Sequence, residues 1–268
     1  MEQDDILNLV SSLKISDEED SSVVVLDRDV CNLGKWKLSS CLACKVLSSK
    51  TMPREVIRKQ VLKILQLVGN VIVDLIGNNL FIMEFSSQRD QKRVLTNGPW
   101  NLFRNLLIFT KLHENSKISS LVFDSQEIWV QIHNIPLACM NRECAEILGN
   151  NIGNLVEVAV GDKGDCWGWY LRLKIAIDIS KPLKRVVRLC LREGEAPEML
   201  LLQYERLPNL CYRCGLLGHS SRECLAEAMV DEAGKEILKF EPWMLASSGV
   251  CRPKFNASQA AAGGNDDQ

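Results

Sequence analysis

Four potential metal ligands lie within one short segment, and they constrain the fold more than any other feature of the chain. Cys211, Cys214, His219 and Cys224 are spaced C-x-x-C-x-x-x-x-H-x-x-x-x-C. Three thiolates and one imidazole complete a tetrahedral zinc shell and leave no open position for a reactive water. We therefore predict one structural zinc ion, whose binding and the local folding of the segment are one event.

The same segment resembles the zinc knuckles of retroviral nucleocapsids and of cellular proteins that bind single-stranded RNA. It shares the aromatic residue after the first cysteine and the run G-x-x-G-H. In such knuckles an unpaired base stacks on the aromatic ring and bonds to the loop backbone. The contacts that the resemblance implies, with the basic neighbours, are Tyr212, Arg213, Leu217, Gly218 and Arg222. Leu216 and Ser220 depart from the retroviral pattern, and a protein-binding knuckle is the alternative.

The composition is that of a folded protein. At 268 residues, 46% of them hydrophobic, the chain can bury the core of one large or two small domains. No basic leader precedes an apolar run, and no apolar stretch reaches the ~18 residues of a membrane span. We therefore expect an intracellular protein, in the nucleus or cytoplasm with the nucleus favoured, that has no membrane partner. Its eleven cysteines are expected to be reduced.

Positive charge is concentrated in one part of the chain. The net charge of −2 argues against nucleic-acid binding when taken alone, yet residues 41–113 hold eleven Lys and Arg against four Asp and Glu. Such a segment can supply the contacts to phosphate groups that dominate binding to nucleic acids. The candidate phosphate contacts are Lys45, Lys50, Arg54, Arg58, Lys59, Arg89, Lys92 and Arg93.

The basic segment lies in a predicted α+β domain at residues 35–113. Strand patterns at 42–47, 71–76, 80–85 and 106–111 alternate with helical patterns after Pro53 and after Ser86. This order is the split β-α-β-β-α-β arrangement of ferredoxin-like and RNA-recognition domains, in which two helices cover one face of the sheet and the other face stays open. The basic-aromatic signature of RNA-recognition domains is absent from residues 80–85, which include Glu84.

A second, strand-rich α+β unit is predicted at residues 126–208, with one helix at 137–149 and strands before and after it. Lys184, Arg185 and Arg188 lie in a run without acidic residues, which is either a phosphate-contacting strip or a solvated hairpin. Trp167 and Trp169 either stack on bases or cap the edge of a core.

Three further segments complete the predicted organisation. Residues 1–34 form an acidic, partly disordered segment, with a short helix followed by a solvated linker. The knuckle occupies residues 209–226. Residues 227–268 are expected to form one helix at about 230–240 and then a disordered tail.

Motifs spread over residues 35–226 extend the resemblance beyond the knuckle. They include the runs L-T-N-G-P-W at 95–100, W-V-Q-I at 129–132, I-S-K-P-L at 179–183 and Y-E-R-L-P at 204–208. Together they resemble a plant domain of unknown function that is fused to a CCHC-type zinc knuckle in the first open reading frame product of LINE-type retrotransposons and their host relatives. The resemblance implies binding of RNA or single-stranded DNA without catalysis.

No constellation of catalytic residues is found in the sequence. His113 and His133 lack a partner motif and are interpreted as structural. Cys41 and Cys44 form a second C-x-x-C, for which a redox or zinc role is the alternative to ordinary apolar thiols. We therefore expect a non-enzymatic protein that binds single-stranded nucleic acid, preferably RNA. A protein-interaction scaffold is the alternative function, and protein partners or self-association are left open.

Overall fold

The computed structural model describes residues 3–161, 164–192, 194–232 and 236–246. By their contacts these residues form two compact units. The first unit includes Gln126 and the described residues before it, together with Asp178–Pro182 and residues 208–239. The second unit comprises Glu127–Ile177, Leu183–Leu207 and the described residues from Phe240 onward.

The first unit contains five helices and five strands among the described residues. In chain order they are α1 (Gln3–Ser12), α2 (Asp17–Ser21), α3 (Arg28–Ser39), β1 (Cys41–Leu47), α4 (Arg54–Ile64), β2 (Val71–Gly77), β3 (Leu80–Phe85), α5 (Gln88–Thr96), β4 (Trp100–Leu102) and β5 (Asn105–Lys111). The strands pair antiparallel in the order β2-β3-β1-β5-β4. The predicted β-α-β-β-α-β arrangement is confirmed, with β4 as an additional edge strand.

Strand β4 was missed because it is only three residues long. It forms a tight hairpin with β5, in which Phe103 and Arg104 adopt positive φ angles. Neither residue is a glycine or asparagine, the types that normally announce such a turn in a sequence.

The helices of the first unit begin where local capping chemistry places them. Ser87 accepts a hydrogen bond from the Asp90 amide at the start of α5, and α4 starts directly after Pro53. Ser16 and Glu19 form a reciprocal capping box at α2, and the Asp27 side chain caps α3. The linker predicted after the first helix is therefore wrong where α2 and α3 form.

Apolar side chains on one face of the sheet pack against α4 and α5. Alternate residues of β1 and β3 form this core with buried residues of both helices; they are Leu42, Cys44, Val46, Phe81, Met83, Phe85, Ile57, Val61 and Val94. Leu107 of β5 belongs to the same core. Since strand side chains alternate, the residues that lie between or beside these core residues in β1, β3 and β5 belong to the opposite face. Of these, Ala43, Leu106 and Ile108 are also buried. The expectation that this face is open is therefore wrong at β1 and β5, because apolar side chains there are covered as well.

The second unit is built around another antiparallel sheet. Its elements are β6 (Ser125–His133), α6 (Arg142–Ile152), β7 (Asn154–Val158), β8 (Leu171–Asp178), β9 (Val186–Leu189), β10 (Glu198–Glu205) and β11 (Leu245–Ala246). The strand order is β11-β10-β6-β8-β7, β9 also pairs with β10, and the short β11 runs parallel to β10. The helix predicted at 137–149 instead begins at Arg142, because Asn141 caps it after a separate 3-10 turn.

The helix predicted at about 230–240 is wrong for the residues of that range that the structure describes. Val230 and Glu236 face each other in an isolated antiparallel bridge, and Ile237 donates to the Met229 carbonyl oxygen at 2.7 Å. These pairings are those of facing extended segments and not of a helix. Directly after this range the described residues form a 3-10 turn at Pro242–Met244 and the strand β11, and the rest of the predicted disordered tail lies outside the described residues. Among the described residues, no helix combines the length and apolar character needed to span a membrane.

Candidate metal centre and nucleic-acid interface

The four predicted zinc ligands converge. The ligand atoms of Cys211, Cys214, His219 and Cys224 all lie within 4.8 Å of one another, and Cys214 Sγ is 3.4 Å from His219 Nε2. Ligands bound to zinc at 2.0–2.3 Å in a tetrahedron stand about 3.6 Å apart. The arrangement therefore fits a closed Cys3His zinc site, in which the metal would hold the loop together and would not activate water.

Two glycines let the chain turn tightly around the site. Gly215 and Gly218 have φ angles of +77° and +96°, which side chains disfavour. The Gly215 amide donates to the Cys211 carbonyl oxygen at 2.8 Å, and the Cys211 amide donates to the Leu216 carbonyl oxygen at 2.9 Å. Leu210 and Leu217 face each other across the turn. Each glycine therefore reverses the chain at a point where the ligands must be brought together.

The surroundings of the sulfur atoms shift the pKa values of two of the cysteine ligands in opposite directions. Burial disfavours the Cys211 thiolate, but hydrogen bonds from the amides of Cys214 and Arg213 outweigh it and lower the Cys211 pKa. Burial raises the pKa of Cys214 to about 11. Zinc would thus displace a proton from Cys214, whereas backbone donors already stabilise the Cys211 thiolate.

The knuckle packs against the end of β1 within the first unit. A Cβ placed on Gly218 would lie 2.6 Å from Leu47 Cγ. Asn209 Nδ2 donates to Asn105 Oδ1 at 3.2 Å, and Lys50 Nζ lies 3.6 Å from Glu223 Oε1. Leu47 and Asn105 are at the paired ends of β1 and β5. Side-chain contacts therefore attach the zinc loop to the sheet of the first unit, at the paired ends of β1 and β5.

The predicted base-binding residues of the knuckle differ in how accessible they are to a ligand. Tyr212 is half-buried, and its amide donates to Ser221 Oγ at 3.1 Å. The Leu217 side chain is buried, with 6% exposure, and so cannot serve as a stacking surface. Gly218 faces Leu47, which restricts access to its backbone. Tyr212 therefore remains the ring that an unpaired base could reach.

The two arginines of the knuckle also differ. Arg213 Nε donates to Glu236 Oε1 at 2.7 Å, and its Nη1 reaches the carbonyl oxygens of Cys224 and Ala226 at 3.3 Å. This guanidinium closes the loop that follows the zinc site. Arg222 is exposed and makes no ion pair with any residue that the structure describes. Of the two, Arg222 is the one placed to contact a phosphate.

Half of the basic residues predicted in the first domain bind the protein itself. Lys45 donates to the Asn78 carbonyl oxygen at 2.7 Å, and Lys50 pairs with Glu223. Arg54 binds the Val73 carbonyl oxygen and the Asp74 carboxylate, each at 2.8 Å. Arg93 binds Leu65 and Gln66 carbonyl oxygens and Asp90. The residues that are exposed and form no ion pair within the described chain are Arg58, Lys59, Arg89 and Lys92.

In the predicted basic strip of the second unit, too, some cations contact other protein groups and one is exposed. Lys184 Nζ donates to the Asn151 carbonyl oxygen. The Arg185 guanidinium lies 5.7 Å from the centre of the Phe240 ring. Arg188 is exposed on β9. The run therefore does not present three equivalent cations, and two of its members stabilise the fold.

One interaction of the second unit could not be found by sequence reasoning. Arg172 forms a bidentate ion pair with Glu205 at 2.7 and 2.8 Å. Its guanidinium carbon also lies 3.8 Å from the Trp129 ring centre. Gln131 donates to the same carboxylate at 2.8 Å. These residues come from three different strands, and no local motif links them.

The other residues that the sequence analysis considered as functional candidates differ in burial. Cys41 and Cys44 are buried, and burial raises the pKa of both thiols, which disfavours reactive thiolates. His133 contacts the Tyr170 ring, and burial lowers its pKa. Trp167 and Trp169 are 66% and 80% exposed.

Comparison with known protein families supports the identification of a zinc knuckle at this site. Residues 34–120 match the family described as Domain of unknown function (DUF4283), and residues 177–226 match the family described as Zinc knuckle. The chain thus contains one region similar to the DUF4283 domain and, after it, a region similar to CCHC-type zinc knuckles. This class of knuckle indicates zinc binding and nucleic-acid binding.

The individual proteins that comparison relates to the chain include the following two. An uncharacterized protein of Arabidopsis thaliana is 30% identical over 135 residues, which are 50% of this chain and 42% of that protein. The chain therefore matches less than half the length of this relative. A crystal structure of the first two RRM domains of the yeast poly(U)-binding protein covers 61% of this chain and 98% of its own, at 12% identity. Its TM-score is 0.21, which is too low to add to the evidence from the strand order.

Proposed function

We propose that this protein binds single-stranded nucleic acid, preferably RNA, in a zinc-dependent manner and without catalysing a reaction. The observation that carries the proposal is the convergence of four zinc ligands around a loop in which Tyr212 remains partly exposed. An aromatic ring held by a rigid loop can stack on any unpaired base, whereas bases inside a duplex cannot reach it. One zinc ion per chain would fix the loop that presents this ring.

A titration with labelled RNA tests this function. The zinc-loaded protein should bind a single strand more tightly than a duplex of equal length, and a chelator should remove the part of the affinity that depends on the loop. Single-stranded DNA of the same sequence measures the preference for RNA. Equal binding of all three nucleic acids, unaffected by the chelator, would contradict the proposal.

We also propose a cellular location and an evolutionary origin for the protein. A reduced, zinc-dependent RNA-binding protein is expected inside the cell, with the nucleus favoured, and fractionation with a specific antibody tests this location. Descent from a LINE-type retrotransposon is supported by the order of the DUF4283 domain and the knuckle. Remnants of a reverse transcriptase frame downstream of the gene and its relatives are expected, and their consistent absence would argue against this origin.

A second candidate function is that of a protein-interaction scaffold. The burial of Leu217 and the contact between Gly218 and Leu47 favour it, because the turn that grips a base in the resembling knuckles here faces protein. In that case the zinc site would stabilise a docking surface. Loss of a protein partner or of self-association on zinc removal, with no measurable binding of RNA, would identify this function.

A further inference from the structure

Most of the exposed cations of the first domain that form no ion pair within the described chain lie on helices α4 and α5. Arg58 and Lys59 belong to α4, and Arg89 and Lys92 belong to α5. The carboxylate of Asp90 is buried, so Glu55 is the exposed acidic side chain of these two helices. The outer surface of α4 and α5 is therefore strongly positive, which attracts a polyanion.

Polar groups of α5 are bonded to the C-terminal end of α4 and to the segment that follows it. Arg93 on α5 donates to the Leu65 carbonyl oxygen at the end of α4 at 3.0 Å. The Asp90 carboxylate accepts from the amides of Val68 and Gly69 at 3.0 and 2.8 Å. These bonds fix α5 to the segment that follows α4. Ile57 and Val61 of α4 and Val94 of α5 pack in the same core, so the exposed cations of both helices belong to the same side of the sheet.

The opposite face of the sheet is poorly suited to phosphate. It is contacted at Leu47 by the knuckle residue Gly218. Strand alternation places the carboxylates of Asp74 and Glu84 on this face, because Val73, Met83 and Phe85 point into the helical core. Lys45 on the same face is hydrogen bonded to the Asn78 carbonyl oxygen. A phosphate backbone would meet a covered strand end there, and the two carboxylates already hold the cations Arg54 and Lys37 in ion pairs.

We propose that the phosphate backbone of the bound nucleic acid lies on the outer surface of α4 and α5, on the side of the sheet away from the knuckle. RNA-recognition domains use the other face, where bases stack on aromatic residues of the strands. The inference rests on the proposed function and specifies its electrostatic part. Contacts of this kind are independent of base sequence, so this surface holds the strand and the knuckle ring adds the preference for unpaired bases.

The experiment compares two variants that lose the same charge. In the first, Arg58, Lys59, Arg89 and Lys92 are each replaced by Gln. In the second, four exposed cations of the first unit outside this surface are replaced by Gln; they are Lys14, Arg28, Arg104 and Lys117. Affinity for a single-stranded RNA is measured over a range of salt concentrations. Circular dichroism and zinc content establish that both variants are folded.

The helix variant should bind at least about tenfold more weakly, and its salt dependence should fall by about 0.7 for each lost phosphate contact. The control variant should stay within about twofold of the wild type. Equal losses in both variants would show a general charge effect and overturn the inference, as would an unchanged slope in the helix variant. If the wild type binds no single strand, the proposed function fails as well, whereas a binding wild type with an unaffected helix variant refutes this surface alone.

Discussion

Gly218 and Leu47 are packed so closely that a Cβ on the glycine would lie 2.6 Å from Leu47 Cγ. This contact joins the turn of the zinc loop to the end of β1. Asn209 and Asn105 form a hydrogen bond beside it. The zinc loop is therefore a part of the first unit, and its folding is expected to stabilise the strand end that it covers.

The Gly218 contact can be tested by adding a methyl group. Gly218→Ala should destabilise the zinc-loaded protein by about 2–4 kcal/mol, because the left-handed backbone costs about 1–2 kcal/mol and the overlap with Leu47 adds to it. Denaturant unfolding of the zinc-loaded protein measures the loss. Gly164→Ala is the matched control, since Gly164 has a φ of +79° with nothing within 4 Å of its Cβ position. Equal losses in both variants would show that the backbone conformation alone matters.

Zinc binding is tested by removing one ligand. The wild type should contain about one equivalent of zinc, and Cys214→Ser should lose most of it, because three ligands hold the ion much more weakly. Metal analysis of the purified proteins checks this. Cys190→Ser serves as the control, as Cys190 is exposed and lies in the second unit. Unchanged zinc in Cys214→Ser would refute the ligand assignment.

The role of Tyr212 is tested by removing its ring. Tyr212→Ala should retain zinc, since the phenol is not a ligand, but should weaken binding of single-stranded RNA by about 1–3 kcal/mol, the value of one base–aromatic stack. Duplex binding should change little. Tyr212→Phe is the control and should bind like the wild type, because a phenyl ring stacks equally well. A scaffold function predicts no loss with either RNA.

The ion pair between Arg172 and Glu205 should make the second unit sensitive to acid. Burial raises the pKa of Glu205, but the hydrogen bonds from Arg172 and Gln131 outweigh this and hold it below the usual value. A lowered pKa in the folded state gives stability that is complete above the unfolded pKa, about 4.3, and is lost as the pH falls through the folded pKa.

Glu205→Gln should therefore be less stable than the wild type by about 1–3 kcal/mol at pH 7, because Arg172 loses its charged partner. The difference should shrink at pH values below the folded pKa of Glu205. Denaturant midpoints at neutral and acidic pH measure both effects. Glu195→Gln is the control, as its pair with Arg192 is solvent-exposed. A constant difference between Glu205→Gln and wild type at all pH values would contradict the assignment.

The sequence alone determined the features that depend on local chemistry. The spacing of Cys211, Cys214, His219 and Cys224 predicted the zinc site, because ligand type and turn glycines lie in one short segment. Alternating apolar residues and helix caps predicted the split β-α-β-β-α-β arrangement, since period and capping are local properties. The capping box at Ser16 was also present in the sequence, although α2 was not predicted from it.

Only the tertiary structure decided which of the predicted residues remain available to a ligand. Arg54 and Arg58 look alike in the sequence, yet Arg54 is bound to Asp74, twenty positions away, while Arg58 is exposed. The Leu217 side chain proved to be buried, and Gly218 proved to face Leu47. These outcomes depend on contacts between residues that are distant in the chain, and such contacts arise only when the sheet, the helices and the zinc loop pack together.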